Sequence, residues 1–162
     1  MSLPPEAHPP GWLAIWLSIM LWALIIWGIV AVANADTYLN LGGVSYHSVP
    51  HRFNGNNPGL GIEQQLTPTD RVTAGGYYNS LYHMSYYVGY GRSIDLSPAW
   101  RVGILTGYVS GYDESNLKRY QPYAIPFAEW SGERFGMNFT VLPETNTNPV
   151  MVVAMQIKVR LK

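Results

Sequence analysis

Apolar and polar residues alternate one by one over much of the chain, most regularly near its C-terminal end. Every second position there is apolar: Val153, Met155, Ile157, Val159 and Leu161. The positions between them include Gln156, Lys158 and Arg160. A period of two places alternate side chains on opposite faces of an extended strand, so this segment is predicted to be a β-strand with one apolar and one polar face.

Eight segments with strand character follow Asp36, and Gly, Pro, Asn and Asp residues that are typical of turns separate them. They span Gly43–Val49, Gly59–Leu66, Arg71–Ser80, Met84–Ile94, Trp100–Tyr112, Tyr123–Trp130, Arg134–Leu142 and Val150–Leu161. No long segment between them has helical periodicity. The pattern predicts an all-β, eight-stranded antiparallel up-and-down barrel over residues 36–162. A barrel of this size has an interior filled by side chains or by one slender ligand.

Alternation alone does not decide which face of each strand meets the surroundings. A soluble lipocalin-like barrel has its apolar face inside, whereas a transmembrane barrel turns that face towards lipid. Only 12% of the residues are charged, against about a quarter in soluble domains. The links Val49–Pro58 and Asp113–Pro122 are longer than those at the opposite end. Aromatic residues that suit an interfacial girdle lie near strand ends: Tyr38, Tyr82, Trp100, Tyr112, Tyr120 and Trp130. Together these features favour a transmembrane barrel.

The segment before the barrel is strongly apolar. Residues Trp12 to Ala33 include no charged side chain, and Ala33-Asn34-Ala35 forms a small-x-small pattern that signal peptidase could cut before Asp36. Residues 1–35 are therefore predicted to be a signal peptide. The alternative is an uncleaved N-terminal membrane anchor helix, because roughly 20 apolar residues can span a bilayer. Either fate delivers residues 36–162 to or across the inner membrane.

Charge and composition exclude several kinds of function. The formal net charge is zero, so the chain lacks the basic excess that neutralises nucleic-acid phosphates. It contains no Cys, which excludes disulfides and thiolate metal sites. Its four histidines show no metal-binding spacing. We therefore expect no metal, no other cofactor and no nucleic-acid partner.

The residues nearest to catalytic groups are His47, at the end of the first predicted strand, and the pair Asn79-Ser80, at the end of the third. Acyl transfer needs an activated hydroxyl, a base and a third group that orients the base. The sequence offers candidates for the first two. The structural alternative is that His47 is a polar residue at the membrane interface and that Asn79-Ser80 belongs to an ordinary turn.

Several short blocks, taken in order, resemble the lipid A palmitoyltransferase (PagP) family from about Val44 to the C-terminus. The strongest runs from Gly76-Tyr77-Tyr78-Asn79-Ser80 to Tyr87-Val88-Gly89-Tyr90-Gly91-Arg92-Ser93, where the family has an Asp-Ser pair at the same distance before a Gly-Tyr-Gly. The others are Asn57-Pro58-Gly59-Leu60-Gly61, Leu105–Gly111 and Ile125-Pro126-Phe127-Ala128.

The resemblance implies an acyltransferase that moves a fatty acyl chain from a glycerophospholipid to lipid A. It implies a monomer in the outer membrane of a Gram-negative bacterium, with phospholipid and lipid A as its partners. The family's essential His falls on His47, with His51 as the rival, and its Ser falls on Ser80. Gly91 falls on the floor of the acyl pocket, and Pro58 on the segment where a Pro interrupts pairing of the second strand.

The chain departs from the family at several positions. Asn79 stands where the family has Asp, and an amide neither binds a proton nor carries the charge that stabilises an imidazolium. Tyr112 replaces an Arg, and only Asp36–Gly42 lies where the family has an amphipathic helix. Two further hypotheses therefore stand beside the enzyme: a non-catalytic lipid-binding outer-membrane barrel, and a soluble periplasmic lipocalin-like carrier.

Overall fold

The computed structural model describes residues 16–22, 36–49, 52–144 and 150–161. Eight strands form the body of the protein: β1 (Thr37–His47), β2 (Asn56–Gln65), β3 (Asp70–Tyr78), β4 (Met84–Asp95), β5 (Trp100–Val109), β6 (Gln121–Ser131), β7 (Phe135–Leu142) and β8 (Val152–Arg160). Each strand pairs antiparallel with the next in sequence, and β8 pairs with β1 to close the barrel. The predicted all-β, eight-stranded antiparallel barrel is confirmed.

The N-terminal apolar segment is described only in part. Residues 16–22 form a short helix. Among the residues that the structure describes, no helix combines the length and apolar character needed to cross a bilayer, so the predicted anchor helix finds no support there. Residues 1–15 and 23–35, which complete the predicted signal or anchor segment, lie outside the described ranges.

β1 begins six residues before the predicted start at Gly43, because a β-bulge hides its alternation. The pairing of β1 with both neighbours shifts between Asn40 and Gly43. Gly42 adopts a positive φ of 77° at this point, a conformation that glycine reaches at little cost. The extra residue moves the inward positions from Tyr38 and Asn40 before the bulge to Gly43 and those that follow. A strict period of two is therefore broken within β1.

The apolar faces of the strands point away from the lumen. Large apolar side chains are exposed on the outside of the barrel and include Val44, Leu60, Ile62, Val72, Val88, Ile104, Val141, Val153 and Ile157. The buried side chains in the lumen are mainly polar and include Asn40, Glu63, Arg71, Thr73, Ser85, Ser93, Glu129 and Lys158. This is the reverse of a water-soluble lipocalin-like barrel, and it agrees with the predicted outward orientation.

The two ends of the barrel differ. Residues 66–69, 96–99 and 132–134 form short links at the end that also holds the start of β1 and the end of β8. We call this the turn end. The links at the opposite end, which we call the loop end, are mostly longer. They span residues 48–55, 79–83, 110–120 and 143–151. Tyr82, Trp100 and Tyr120 are exposed, as an aromatic girdle requires, but Tyr38 is buried in the lumen and Tyr112 lines a cavity, so these two were wrongly assigned to the girdle.

Pairing between β6 and β7 stops halfway along the barrel. The two strands pair only from Ala128–Phe139 to Ser131–Gly136, at the turn end. Nearer the loop end, the Thr140 hydroxyl donates to the carbonyl oxygen of Pro126. In an antiparallel strand the N–H and C=O of one residue point to the same side, so Pro126 faces β7 without a backbone donor. The sheet consequently has a gap in its loop-end half between β6 and β7.

Candidate functional site

A cavity of ≈ 330 Å³ occupies the loop-end half of the lumen. Aromatic and aliphatic side chains from several strands form its wall: Tyr77, Tyr87, Leu105, Tyr123, Ile125 and Phe127. Glu63 and Arg71 also line it, from positions near the turn-end termini of β2 and β3. His47, Ser80 and Tyr112 line it from the loop end. The cavity thus runs from the loop end towards Glu63 and Arg71, deep in the lumen.

Glycines in neighbouring strands make room for the aromatic rings of this wall. A Cβ atom at Gly61 would lie 2.3 Å from the Tyr87 hydroxyl oxygen. A Cβ atom at Gly89 would likewise lie 2.3 Å from the hydroxyl oxygen of Tyr123. The hydroxyls of Tyr77 and Tyr112 are hydrogen-bonded at 3.0 Å. The rings are thereby held in the lumen and leave a narrow space between them.

His47, the last residue of β1, lines the loop-end part of the cavity. It is 7% exposed, and its ring stacks on Phe53 with centroids 4.9 Å apart and an interplanar angle of 21°. Among the described residues, this stacking on Phe53 is the contact made by its imidazole, which forms no hydrogen bond or ion pair with them. The rival, His51, lies outside the described residues.

Ser80 lines the same cavity as His47. It follows β3, in the link to β4. Its backbone carbonyl accepts a hydrogen bond from the Asn54 amide at 2.9 Å, which ties the β3–β4 link to the β1–β2 link. The structure therefore brings two of the three predicted catalytic residues, His47 and Ser80, to one cavity.

Asn79 is held differently, although it precedes Ser80 directly. Its side chain is fully buried. Its Nδ2 donates to Ser85 Oγ at 2.9 Å and to the carbonyl oxygen of Gly111 at 2.8 Å. Its Oδ1 accepts from the backbone amides of Leu81 at 2.9 Å and His83 at 3.0 Å. Asn79 thus fastens the β3–β4 turn to the start of the β5–β6 loop, and it is absent from the cavity wall.

The two residues predicted to bind substrate lie away from the cavity wall. Gly91 is buried in β4, where a Cβ atom would lie 2.9 Å from Arg71 Cγ, so the Arg71 side chain covers it. Pro58 is exposed on β2 and pairs with Gly42 at the β1 bulge. The resemblance implies that Gly91 forms the floor of an acyl pocket. In this chain the Arg71 side chain occupies the space over Gly91.

Sequence reasoning missed a cluster of four charged residues in the lumen, which we call the charge ring: Glu63, Arg71, Glu129 and Lys158. Lys158 Nζ lies 2.7 Å from Glu63 Oε1 and 2.9 Å from Glu129 Oε1. Arg71 Nη1 lies 3.3 Å from Glu63 Oε1 and contacts Glu129 Oε2. Each acid thus contacts both bases. One feature of the sequence could have indicated this cluster: strand alternation places all four residues on inward positions.

At the loop end, a small cluster of interacting polar and charged side chains lies within the β5–β6 link. In the β5–β6 link the Ser115 hydroxyl donates to the Asp113 carboxylate, and this bond lowers the pKa of Asp113. Arg119 Nη1 also lies 3.3 Å from Asp113 Oδ2.

Among the described residues, no group of His, Asp and Glu is arranged to hold a metal ion. The site that remains is a narrow cavity with a histidine and a serine near the loop end.

Two de novo designed proteins of known structure are similar to this chain. One, described as de novo design of transmembrane beta-barrels, has a TM-score of 0.57 and 18% sequence identity, and the match covers 78% of this chain and 95% of the other. The chain shares its barrel fold. The other is the solution NMR structure of de novo designed TMB2.3, with a TM-score of 0.58 and 14% identity over 79% of this chain and 96% of that one. No protein-family model matches the chain, and no curated protein matches it.

Proposed function

We propose that this chain spans the outer membrane of a Gram-negative bacterium and holds a single acyl chain of a phospholipid or of lipid A in its loop-end cavity. The observation that carries the proposal is the exposed apolar outer face around a polar lumen. In lipid such a face is stabilising, and the pairing of β8 with β1 closes the sheet, as a span by β-strands requires. Short turns at one end and longer loops at the other are typical of outer-membrane barrels. The similarity to designed transmembrane barrels supports the same environment.

The shape and chemistry of the cavity favour an acyl chain over a bulkier ligand. Its volume of ≈ 330 Å³ is near the lower end of the range for small-molecule sites, about 300–1,000 Å³. Leu105, Val109 and Ile125 line it together with tyrosine rings. A slender methylene chain gains from burial against these groups without needing polar partners.

The gap between β6 and β7 supplies a route from the bilayer to the cavity. Thr140 and Leu142, on the part of β7 beyond its pairing with β6, line the cavity. On the β6 side of this gap, Ile125 and Phe127 line it as well. An acyl chain could therefore pass sideways between the strands while its head group stays at the membrane surface.

Acyl transfer to lipid A is the second candidate function, and the shared cavity of His47 and Ser80 favours it. His47 would accept a proton from the acceptor hydroxyl as that oxygen attacks the ester carbonyl of the phospholipid, and would return this proton to the lysophospholipid oxygen that leaves when the ester bond breaks. The Ser80 hydroxyl would donate to the acyl carbonyl oxygen. Asn79 is committed to four hydrogen bonds of the fold and takes no part. A positioned base without a carboxylate partner supplies general base catalysis, typically worth about 10²- to 10⁴-fold.

Membrane fractionation tests the membrane proposal. We expect the protein in the outer-membrane fraction, with faster gel migration before heating than after, because a closed barrel resists detergent until it is boiled. Recovery from the periplasm without detergent would contradict the proposal and favour the soluble carrier.

Mass spectrometry of lipid A from expressing cells tests acyl transfer. If the chain is an acyltransferase, lipid A should gain one acyl chain, and His47→Ala should abolish this gain. His83→Ala is the matched control, because His83 lies in the β3–β4 link and does not line the cavity. Unchanged lipid A in cells with a correctly inserted barrel would reject acyl transfer and leave acyl-chain binding as the function, measurable as displacement of a fluorescent fatty acid.

A further inference from the structure

The charge ring closes the lumen between two open spaces. On its loop-end side, Glu63 and Arg71 line the ≈ 330 Å³ cavity. At the turn end, a second cavity of ≈ 340 Å³ is lined by Tyr38, Ser131 and Arg160 among others. Lys158 Nζ lies 4.3 Å from the centroid of the Tyr38 ring, and the Ser131 hydroxyl donates to Glu129. The charge ring therefore lines the loop-end cavity and contacts residues that line the turn-end cavity, so it lies between the two.

The four side chains of the charge ring are almost completely shielded from solvent, with side-chain exposures between 0 and 4%. Arg71 also donates to Ser93 Oγ at 3.1 Å and lies with its Cζ 4.8 Å from the centroid of the Phe127 ring. Buried charges are tolerated where opposite charges and hydrogen bonds satisfy them. Two acids and two bases neutralise one another here with no net charge, and Arg71 Nε is the one of their buried polar atoms without a hydrogen-bond partner among the described residues.

We propose that the charge ring is the ion barrier of this barrel, and that its charge balance excludes cations and anions alike. The inference rests on the proposed membrane span, since only a barrel that connects two aqueous compartments needs such a barrier. An ion entering from either cavity meets groups that already neutralise one another. It would have to lose its hydration without gaining a free counter-charge.

Removing one partner should open the barrier and set its selectivity by the charge that is left. Rings with excess carboxylate favour cations, and rings with excess Arg or Lys favour anions. Lys158→Met leaves the ring with an excess negative charge, whereas Glu129→Gln leaves it with an excess positive charge. The two variants are therefore expected to conduct ions of opposite sign.

The test is conductance across planar lipid bilayers that contain the full barrel, with a salt gradient to measure the reversal potential. The unaltered protein should conduct little. Each variant should raise conductance by about tenfold or more, equivalent to a barrier lower by about 1.4 kcal/mol, with Lys158→Met selective for cations and Glu129→Gln for anions. A general leak from a damaged barrel would not give reversal potentials of opposite sign.

Arg119→Gln is the matched control, because it removes one positive charge from an exposed loop ion pair and should leave conductance unchanged. If neither single variant inserts, the double variant Glu63→Gln/Lys158→Met should insert, and because its remaining Arg71–Glu129 pair is balanced, it should conduct as little as the unaltered protein. Single variants that insert without conducting, a double variant that conducts, or an unaltered protein that conducts as well as the single variants would overturn the proposal. Failure of the unaltered protein to insert at all would count against the membrane span instead.

Discussion

At the scale of single residues, the side-chain amide of Asn79 is the clearest case of a polar group that serves the fold. Its Nδ2 faces the Gly111 carbonyl and its Oδ1 faces two backbone amides. The pair Asn79-Ser80 was predicted as catalytic from its resemblance to an Asp-Ser motif. The structure separates the two, since only Ser80 lines the cavity. Adjacent residues in a tight turn point in different directions, and sequence spacing does not record this.

We expect Asn79→Asp to destabilise the barrel, although it restores the residue type of the resembling family. One carboxylate oxygen would replace the Nδ2 donor and face the Gly111 carbonyl, so a buried acceptor would lose its partner at a cost of about 1–3 kcal/mol. Urea unfolding in lipid vesicles measures this, with Asn56→Asp on the exposed start of β2 as the control. Equal stability of the two variants, or a gain in lipid A acylation with Asn79→Asp, would contradict the structural role.

The contacts of the charge ring could not be predicted from its residues taken one at a time. Glu63, Arg71, Glu129 and Lys158 lie far apart in sequence, and nothing local indicates that they meet. Their contacts follow from the barrel register, which places Thr73 opposite Glu63 and Asn40 opposite Lys158. His47 and Ser80 were easier to find, because both lie where strands end at the same side of the barrel.

At the scale of elements, alternation identified all eight strands, because in most of them apolar residues recur at every second position. It failed at the start of β1, where the bulge at Gly42 adds a residue and inverts the pattern. It also could not reveal the gap between β6 and β7. Pro126 appears in the sequence, but only the pairing shows that its missing N–H faces β7.

Pro126→Val is expected to narrow this gap. Valine has a high strand propensity and supplies an N–H towards β7, so one new backbone hydrogen bond should stabilise the barrel by about 0.5–1.5 kcal/mol. Hydrogen exchange should show a protected amide at position 126, and uptake of a fluorescent fatty acid should slow. Pro98→Val, in the exposed β4–β5 turn, is the control. An amide at position 126 that exchanges as fast as those of the turn would contradict the proposed geometry.

At the scale of the whole molecule, the proposed membrane span and ligand cavity both depend on which side of the sheet meets lipid. Low charge and loop asymmetry predicted an outward apolar face, and the structure has this arrangement. The aromatic girdle was less predictable, because Tyr38 turns inward, where Lys158 and Arg160 contact its ring and hydroxyl. Residue type alone does not distinguish a tyrosine at the interface from one in a polar lumen.

The most direct test of the membrane span is reagent accessibility along β8 in lipid vesicles. The chain has no Cys, so single cysteines can carry a spin label at successive positions. Labels at Val153 and Ile157, which are exposed, should collide mainly with oxygen dissolved in the bilayer, whereas labels at Ala154 and Gln156, which line the cavity, should not. If a water-soluble reagent reaches Val153 and Ile157 as readily as Ala154 and Gln156, the apolar face does not meet lipid and the proposed membrane span is wrong.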